Sequence, residues 1–378
     1  MDQKHLKYKE VTNLGCFYTP PCYVNKLLGM LSNEIENIND FIIIDTSCGY
    51  GSFFEYHFDN HPRRLIGGDI DKEALRIAQS HHHQVEFFHV NALRNIARSN
   101  YNLSSLERLI IVGNPPYNDV TSKVKMSIKQ GFLYDIDPAV KTRDLGISFI
   151  LSYAKLNPDY VCILHPLSYL IKKANYELLR PFLCKYKLID SLIMNSKDFT
   201  ETSKGTGFPI IMALYKKDDS GSYYQKIMQY KFTTIDGKVF DLNFDTIKNY
   251  LKKYPNKYIH YDGNSPLFWT MRDINALKRS RTFVTDYSEN TIIVDKKSMP
   301  YYCYVDVFKD YIKHVPYYFG NCDVMIDNAE FIKIKDAFIA KSIQKNPFIA
   351  GFFEDESYSC DDAAIRNYFK KLLGEHYV

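Results

Sequence analysis

The chain has no Cys-x-x-Cys pair, no long apolar run and no strong excess of either charge. Eight cysteines are scattered over 378 residues. The nearest two, Cys16 and Cys22, have neither a second pair nor histidines at zinc-like spacing. A zinc ribbon or finger is therefore not expected, nor any other metal, and buried reduced thiols are the natural reading. His81-His82-His83 reads as a polar helix end. No stretch approaches the ~20 apolar residues of a membrane span. Met1-Asp2-Gln3-Lys4-His5 lacks the apolar core of a secretory signal. A soluble, cytoplasmic protein without a membrane partner is expected. The net charge of +4 permits a polyanionic partner but leaves its recognition to a local basic surface. Two phosphate-binding signatures are also missing, Gly-x-Gly-x-x-Gly and the lysine-bearing phosphate loop.

What remains is a hydrophobic, aromatic chain of two-domain length, 46% apolar and 15% aromatic. Its first ~215 residues alternate β-branched runs with helical stretches, as parallel α/β sheets do. Strands are expected at 41–45, 64–71, 85–91, 109–112, 160–164 and 209–215, and helices at 72–80 and 146–156. The polar stretch 216–222 is the expected boundary. It separates an α/β domain, 1–217, from an irregular or mixed domain, 218–378, rich in Tyr, Asn and Lys.

One apolar run ends in Asn114-Pro115-Pro116-Tyr117. Two prolines fix φ near about −65° and donate no backbone hydrogen bonds, so this turn is stiff. The residue before a proline is pushed out of the helical region, which leaves Asn114 extended at its strand end. An amide, two carbonyls and an aromatic face then converge where a flat group with N–H bonds, such as an exocyclic amine, would fit.

Other strand ends offer complementary groups. Asp45-Thr46-Ser47-Cys48-Gly49-Tyr50-Gly51 is a glycine turn after the first strand, which lets a ligand approach the backbone at the carboxyl edge of the sheet. Asp69, ~20 residues on, can accept two ribose hydroxyls. Asn91 ends the third strand, placed to meet an adenine edge. Together they describe a nucleoside-bearing cofactor lying across the sheet, although each alone could be a capped turn.

These motifs resemble those of the S-adenosylmethionine-dependent amino-methyltransferases that act on DNA adenine. The resemblance extends over roughly residues 13 to 215. Phe17-Tyr18-Thr19-Pro20-Pro21 is similar to the family's Phe-x-Thr-Pro motif, implying that Thr19 and Pro20 help hold the methionine end of the cofactor. Asp45 to Phe54 resembles its glycine-loop motif, which implies cofactor contacts from Asp45, Ser47, Cys48, Gly49 and Gly51. Gly68-Asp69-Ile70-Asp71 implies ribose binding by Asp69 beside Ile70, and Val90-Asn91-Ala92-Leu93 sits where the adenine is met. Asn114 to Tyr117 resembles the catalytic motif. Leu164 to Leu170 resembles the downstream Pro-x-Ser-x-Leu motif. Asp198-Phe199-Thr200 sits where the family places an aromatic that packs on the target base. The motif order is the gamma arrangement, shared with modification methylases of restriction systems.

The resemblance implies methyl transfer to N6 of an adenine in double-stranded DNA, with S-adenosylhomocysteine as the second product. Asparagine rather than serine at 114 favours adenine N6 over cytosine N4. The base must leave the stack to react, with Tyr117 on one face and Phe199 on the other, Phe208 being the rival. Residues 118–129 are expected to form a loop that closes over DNA. Lys278, Arg279 and Arg281 make the densest basic cluster of the second domain and suit backbone phosphates. A partner restriction endonuclease acting on the same site is an expected associate, and a monomer the expected state. Other readings are a protein-glutamine methyltransferase of the release-factor type, a ribosomal RNA adenine methyltransferase, and a silent nucleic-acid-binding module.

Overall fold

A computed structural model describes residues 19–117, 135–199, 207–256, 258–261, 263–353 and 358–378. Phe17, Tyr18, the 118–129 loop and Thr200 lie outside them. The chain forms two compact units, Met1–Leu242 and Asn243–Val378. Among the described residues, no helix is long and apolar enough to cross a membrane.

The first unit is built on a nine-stranded sheet. Its strands are β1 (Phe41–Asp45), β2 (Arg64–Asp69), β3 (Val85–His89), β4 (Arg108–Gly113), β5 (Tyr160–Pro166), β6 (Tyr186–Asn195), β7 (Pro209–Lys217), β8 (Phe232–Thr234) and β9 (Val239–Phe240). The spatial order is β3-β2-β1-β4-β5-β7-β6-β8-β9. Strands β1 to β5 pair in parallel, while β7 runs antiparallel to both β5 and β6. Every residue of β1 and β5 is buried, the signature of strands covered on both faces. Helix Pro21–Glu34 opens with a proline in its first turn, where the missing N–H costs nothing. It packs Val24, Leu27, Leu28 and Leu31 into the core made by β1, β4, β5 and β7. The sheet is thus Rossmann-like and mostly parallel.

The strand order reverses between β1 and β4. Both of the sequence's main motifs leave the sheet there, from adjacent strands at their carboxyl ends. Open α/β sheets place ligands at such switch points.

The polar stretch 216–222 lies within the first unit. Lys217 ends β7, Asp218 accepts a hydrogen bond from the Ser220 N–H at 2.7 Å, and Gly221 takes the left-handed φ of +56°. The chain then returns to add β8 and β9 to the sheet edge, so the unit runs on to Leu242. Strand β6 has no counterpart among the expected strands.

The second unit holds a small antiparallel sheet in the order β11-β10-β12, made of β10 (Leu267–Trp269), β11 (Phe283–Val284) and β12 (Thr291–Ile293). Helices Met299–Tyr311, Lys335–Lys345 and Asp362–Leu373 enclose Tyr304, Phe308, Phe338 and Phe369. Buried Asp306 accepts from Thr282 at 2.6 Å, Ser342 at 2.9 Å and Asn346 at 3.0 Å. Three donors on one carboxylate offset the cost of burying its charge. The expectation of buried thiols holds for Cys48, Cys162, Cys303 and Cys322 but not for Cys22 and Cys184, which are exposed.

Candidate active site

The candidate site is built on Asp45 and Asp69, which end β1 and β2. Asp45 is buried, and its Oδ1 accepts the Ser47 N–H at 3.0 Å. Burial pushes its carboxyl up to about 8, with the nearby Asp69 charge adding and the Ser47 N–H opposing. Asp69 accepts the Gly49 N–H through Oδ2 at 2.8 Å and the Asp71 N–H through Oδ1 at 2.9 Å. Its carboxyl is also raised, by burial first, against the pull of those two N–H groups. Two neighbouring carboxylates disfavoured in their charged form suit a ligand bearing an ammonium group and hydroxyl donors.

The glycine turn is shaped by its backbone. Gly49 and Gly51 have φ of +52° and +83°, a region that side chains resist. A Cβ on Gly51 would come within 2.8 Å of His82. Cys48 closes the turn by donating its N–H to the Gly68 carbonyl at 3.0 Å, and its thiol is pushed up by burial. His82 is itself buried, and that burial pushes its pKa down. Thr46 Oγ1, Ser47 Oγ and Tyr101 Oη are buried without a hydrogen-bond partner among the described residues. Orphaned polar atoms of this kind call for a ligand or water. Ile70 and Ala92 are half-buried beside this region, Ile70 directly after Asp69 and Ala92 after Asn91.

Asn91 stands two residues beyond the end of β3. Its Oδ1 accepts the Leu93 N–H at 3.0 Å and its Nδ2 donates to the Asp135 carbonyl at 2.9 Å. The side chain is thus engaged in a local turn, with one lone pair of its oxygen still available to a ligand.

The Asn-Pro-Pro-Tyr turn begins where β4 presses on β1. Gly113 has φ of +148°, and a Cβ there would meet Asp45 Oδ1 at 2.9 Å. Only glycine lets the two strand ends approach so closely. Asn114 donates from Nδ2 to Oγ1 of buried Thr19 at 3.2 Å. Pro20 directly follows and precedes the helix Pro21–Glu34. Pro115 is buried, Pro116 half-buried. Tyr117 packs against the core that also holds Phe199, Phe208 and Tyr23, and burial pushes its hydroxyl up. Phe199 is 4% exposed and lies 6.1 Å from Tyr23, ring centre to ring centre. It is a core aromatic in this conformation, while Phe208 is half-buried.

No protein-family model matches the chain, and no curated protein matches it. Solved structures do resemble it. One is a type I restriction-modification system methyltransferase subunit from Streptococcus thermophilus. It is 12% identical, covers 84% of this chain and 57% of its own, and has a TM-score of 0.38. A Listeria monocytogenes protein assigned to the class I S-adenosylmethionine-dependent methyltransferases is 12% identical, covering 62% of this chain and 76% of its own at a TM-score of 0.41. A dimethyladenosine transferase from Plasmodium falciparum is 12% identical and covers 54% of this chain and 64% of its own, at 0.33. At such scores, the interpretation of the site rests on the chain's own residues.

Tyr101, Tyr153 and Asp144 near the site carry no sequence motif, whereas His165 and Tyr169 belong to the 164–170 segment. Tyr101 lies against Gly68, whose Cβ would fall 2.8 Å from its ring. Tyr153, from helix Leu145–Leu156, is buried near enough to Asp45 for that charge to raise its hydroxyl further above the level set by burial. Behind Tyr117, Asp144 caps the same helix by accepting the Gly146 N–H at 3.0 Å, and it also accepts the Tyr169 hydroxyl. Gly146 is wedged between Tyr169 and Tyr117, where a Cβ would lie 2.5 Å and 2.9 Å from them. Tyr169 stacks on His165 at 5.6 Å and 9°. Burial pushes His165 down to about 4, so the ring is neutral. Its Nδ1 donates to the Pro166 carbonyl at 3.0 Å, which leaves Nε2 to accept from the Tyr215 hydroxyl at 2.8 Å. Lys278, Arg279 and Arg281 belong to the second unit and are exposed there.

Proposed function

We propose that the chain is a DNA methyltransferase that modifies N6 of a flipped-out adenine in duplex DNA, using S-adenosylmethionine. One observation supports this above the others. The glycine turn and the Asn-Pro-Pro-Tyr turn leave adjacent strands at the switch point, so close that a Cβ on Gly113 would meet Asp45 at 2.9 Å.

The residues fit the cofactor. Asp45 suits its ammonium group, Asp69 its ribose hydroxyls, and the orphaned hydroxyls of Thr46, Ser47 and Tyr101 its remaining polar atoms. When bound, it supplies an electrophilic methyl group on a sulfonium centre.

The chain's own residues prepare the amine. Adenine's amino lone pair is delocalised into the ring. Acceptance of its two N–H bonds by the Asn114 side-chain oxygen and the Pro115 carbonyl localises that pair on nitrogen. This is electrostatic preorganisation toward charge that develops only in the transition state, and the stiff turn supplies the positioning. Tyr117 stacks on the extruded base and Phe199 borders it, which requires the packed aromatic cluster to open. Base–aromatic stacking contributes roughly 1–3 kcal/mol. The second unit acts as the DNA target-recognition domain, and the protein works as a monomer alongside a restriction endonuclease of the same site.

The test supplies labelled S-adenosylmethionine with unmethylated genomic DNA, RNA or a translation release factor, using Asn114→Ala as control. Label in DNA, absent in the variant, is expected. Label confined to RNA or protein overturns the reading.

A further inference from the structure

We infer that the β10–β12 sheet and its flanking segments form the nucleic-acid surface of the second unit. Trp269, Arg281 and the Tyr261–Tyr287 pair meet bases there, and Lys278 and Arg279 meet phosphates. The inference rests on the proposed DNA substrate and goes beyond the basic cluster, because it assigns the aromatic side chains.

Charge comes first. Residues 252–297 hold nine Lys and Arg against five Asp and Glu, an excess of four. The whole chain carries +4, so the remaining residues are balanced. Lys278, Arg279 and Arg281 are exposed, and none forms an ion pair with a carboxylate among the described residues. Other cations are paired, Arg64 with Glu86 and Arg76 with Glu73 in the first unit and Lys253 with Asp323 in the second. Unpaired cations gathered on one face set up the field that attracts a polyanion.

Aromatic rings lie on the neighbouring segments. The Arg281 guanidinium lies 4.1 Å over the Trp269 ring. Tyr261 and Tyr287 stack at 5.2 Å with planes 8° apart, and Tyr287 is 50% exposed. Tyr254 is 60% exposed. Backbone bonds hold these segments side by side: Trp269 N–H to the Thr282 carbonyl at 2.8 Å, Thr270 to Asn290 at 2.9 Å, and Met271 to Lys253 at 2.9 Å.

A protein partner would favour an apolar centre poor in charge. Exposed rings interleaved with unpaired cations fit a partner that has both phosphates and π faces, which is a nucleic acid. Arg281 stacked on Trp269 is already ordered, so less side-chain entropy is lost on contact.

The test measures binding of the full chain to a fluorescent DNA duplex over a salt series, with S-adenosylmethionine binding as the folding control. In the Lys278→Ala/Arg279→Ala double variant, the slope of log affinity against log salt should become shallower by about 2. Tyr287→Ala, at an exposed loop position, should weaken binding about 5- to 100-fold with the slope unchanged, and Tyr287→Phe should restore it. If the wild type methylates DNA while these variants keep its affinity and slope, the surface assignment is overturned and the proposed function stands. If the wild type labels only protein and does not bind the duplex, both fall.

Discussion

Asn114 donates its side-chain amide to Thr19 across 3.2 Å, joining the Thr-Pro segment to the Asn-Pro-Pro-Tyr turn. The bond sets which way the Asn114 amide faces, and in the proposed mechanism its oxygen then meets the substrate amine. The family resemblance instead gives Thr19 a cofactor role. Thr19→Val, nearly isosteric, separates the two. If Thr19 orients Asn114, kcat falls about 2- to 10-fold, the worth of one hydrogen bond, with little change in the KM for S-adenosylmethionine. If Thr19 serves the cofactor, that KM rises and kcat holds.

Gly146→Ala should impair the site through Tyr117. The new Cβ would press on Tyr169 and Tyr117 at once, at 2.5 Å and 2.9 Å, and both rings are packed against core. Overpacking typically costs about 1–3 kcal/mol, and the strain falls on the turn. Methyl transfer should drop more than the melting temperature implies. Tyr169→Phe is the milder companion: it removes the hydroxyl from Asp144 but keeps the stack on His165. Equal activity in both variants and wild type would show that Tyr117 needs no backing.

The strand ends and turns of the candidate site were legible because their signals are local. A β-branched run closed by Asp45, a left-handed glycine pair and a double proline each state their conformation within a few residues. Strand β6 was not legible, since a register shift between Leu188 and Asp190 interrupts its alternation. The unit boundary was obscured for a related reason. The 216–222 segment has turn chemistry, and only the later pairing of β8 with β6 shows that the chain comes back. Tyr101, Tyr153 and Asp144 reach the site by tertiary packing from isolated positions, with no motif to mark them. Phe199 is expected from its place before β7 to pack on the target base, yet it is buried in the core cluster that also holds Tyr23 and Tyr117.

Burial of Phe199 makes its test a question of stability as well as recognition. Phe199→Ala should destabilise the fold by about 3–5 kcal/mol, as for other buried phenylalanines. Phe199→Leu should lose far less, keeping most of the volume without the flat ring. If Phe199 borders the extruded base, Leu should still weaken methylation of duplex DNA while S-adenosylmethionine binding persists. Full activity in Phe199→Leu would assign the second face to Phe208 or another residue.

Asp45 gives the ligand-free protein a distinctive pH dependence. Its carboxyl sits at about 8 in the fold, raised chiefly by burial, against an ordinary value near 3.8. Between those values the native state holds a proton that the unfolded chain has released. Stability therefore falls as pH rises through that window and levels off above about 8. Asp45→Asn removes the titration while keeping the shape. Urea unfolding at pH 5, 6.5 and 8 should show wild type losing stability relative to the variant at each step up. A difference that stays constant with pH would mean that Asp45 is ionised throughout. Binding of S-adenosylmethionine near neutral pH should then expel the Asp45 proton, because an ammonium group beside the carboxyl favours its charged form. Calorimetry in buffers of differing ionisation enthalpy measures that release, and Asp45→Asn should abolish it.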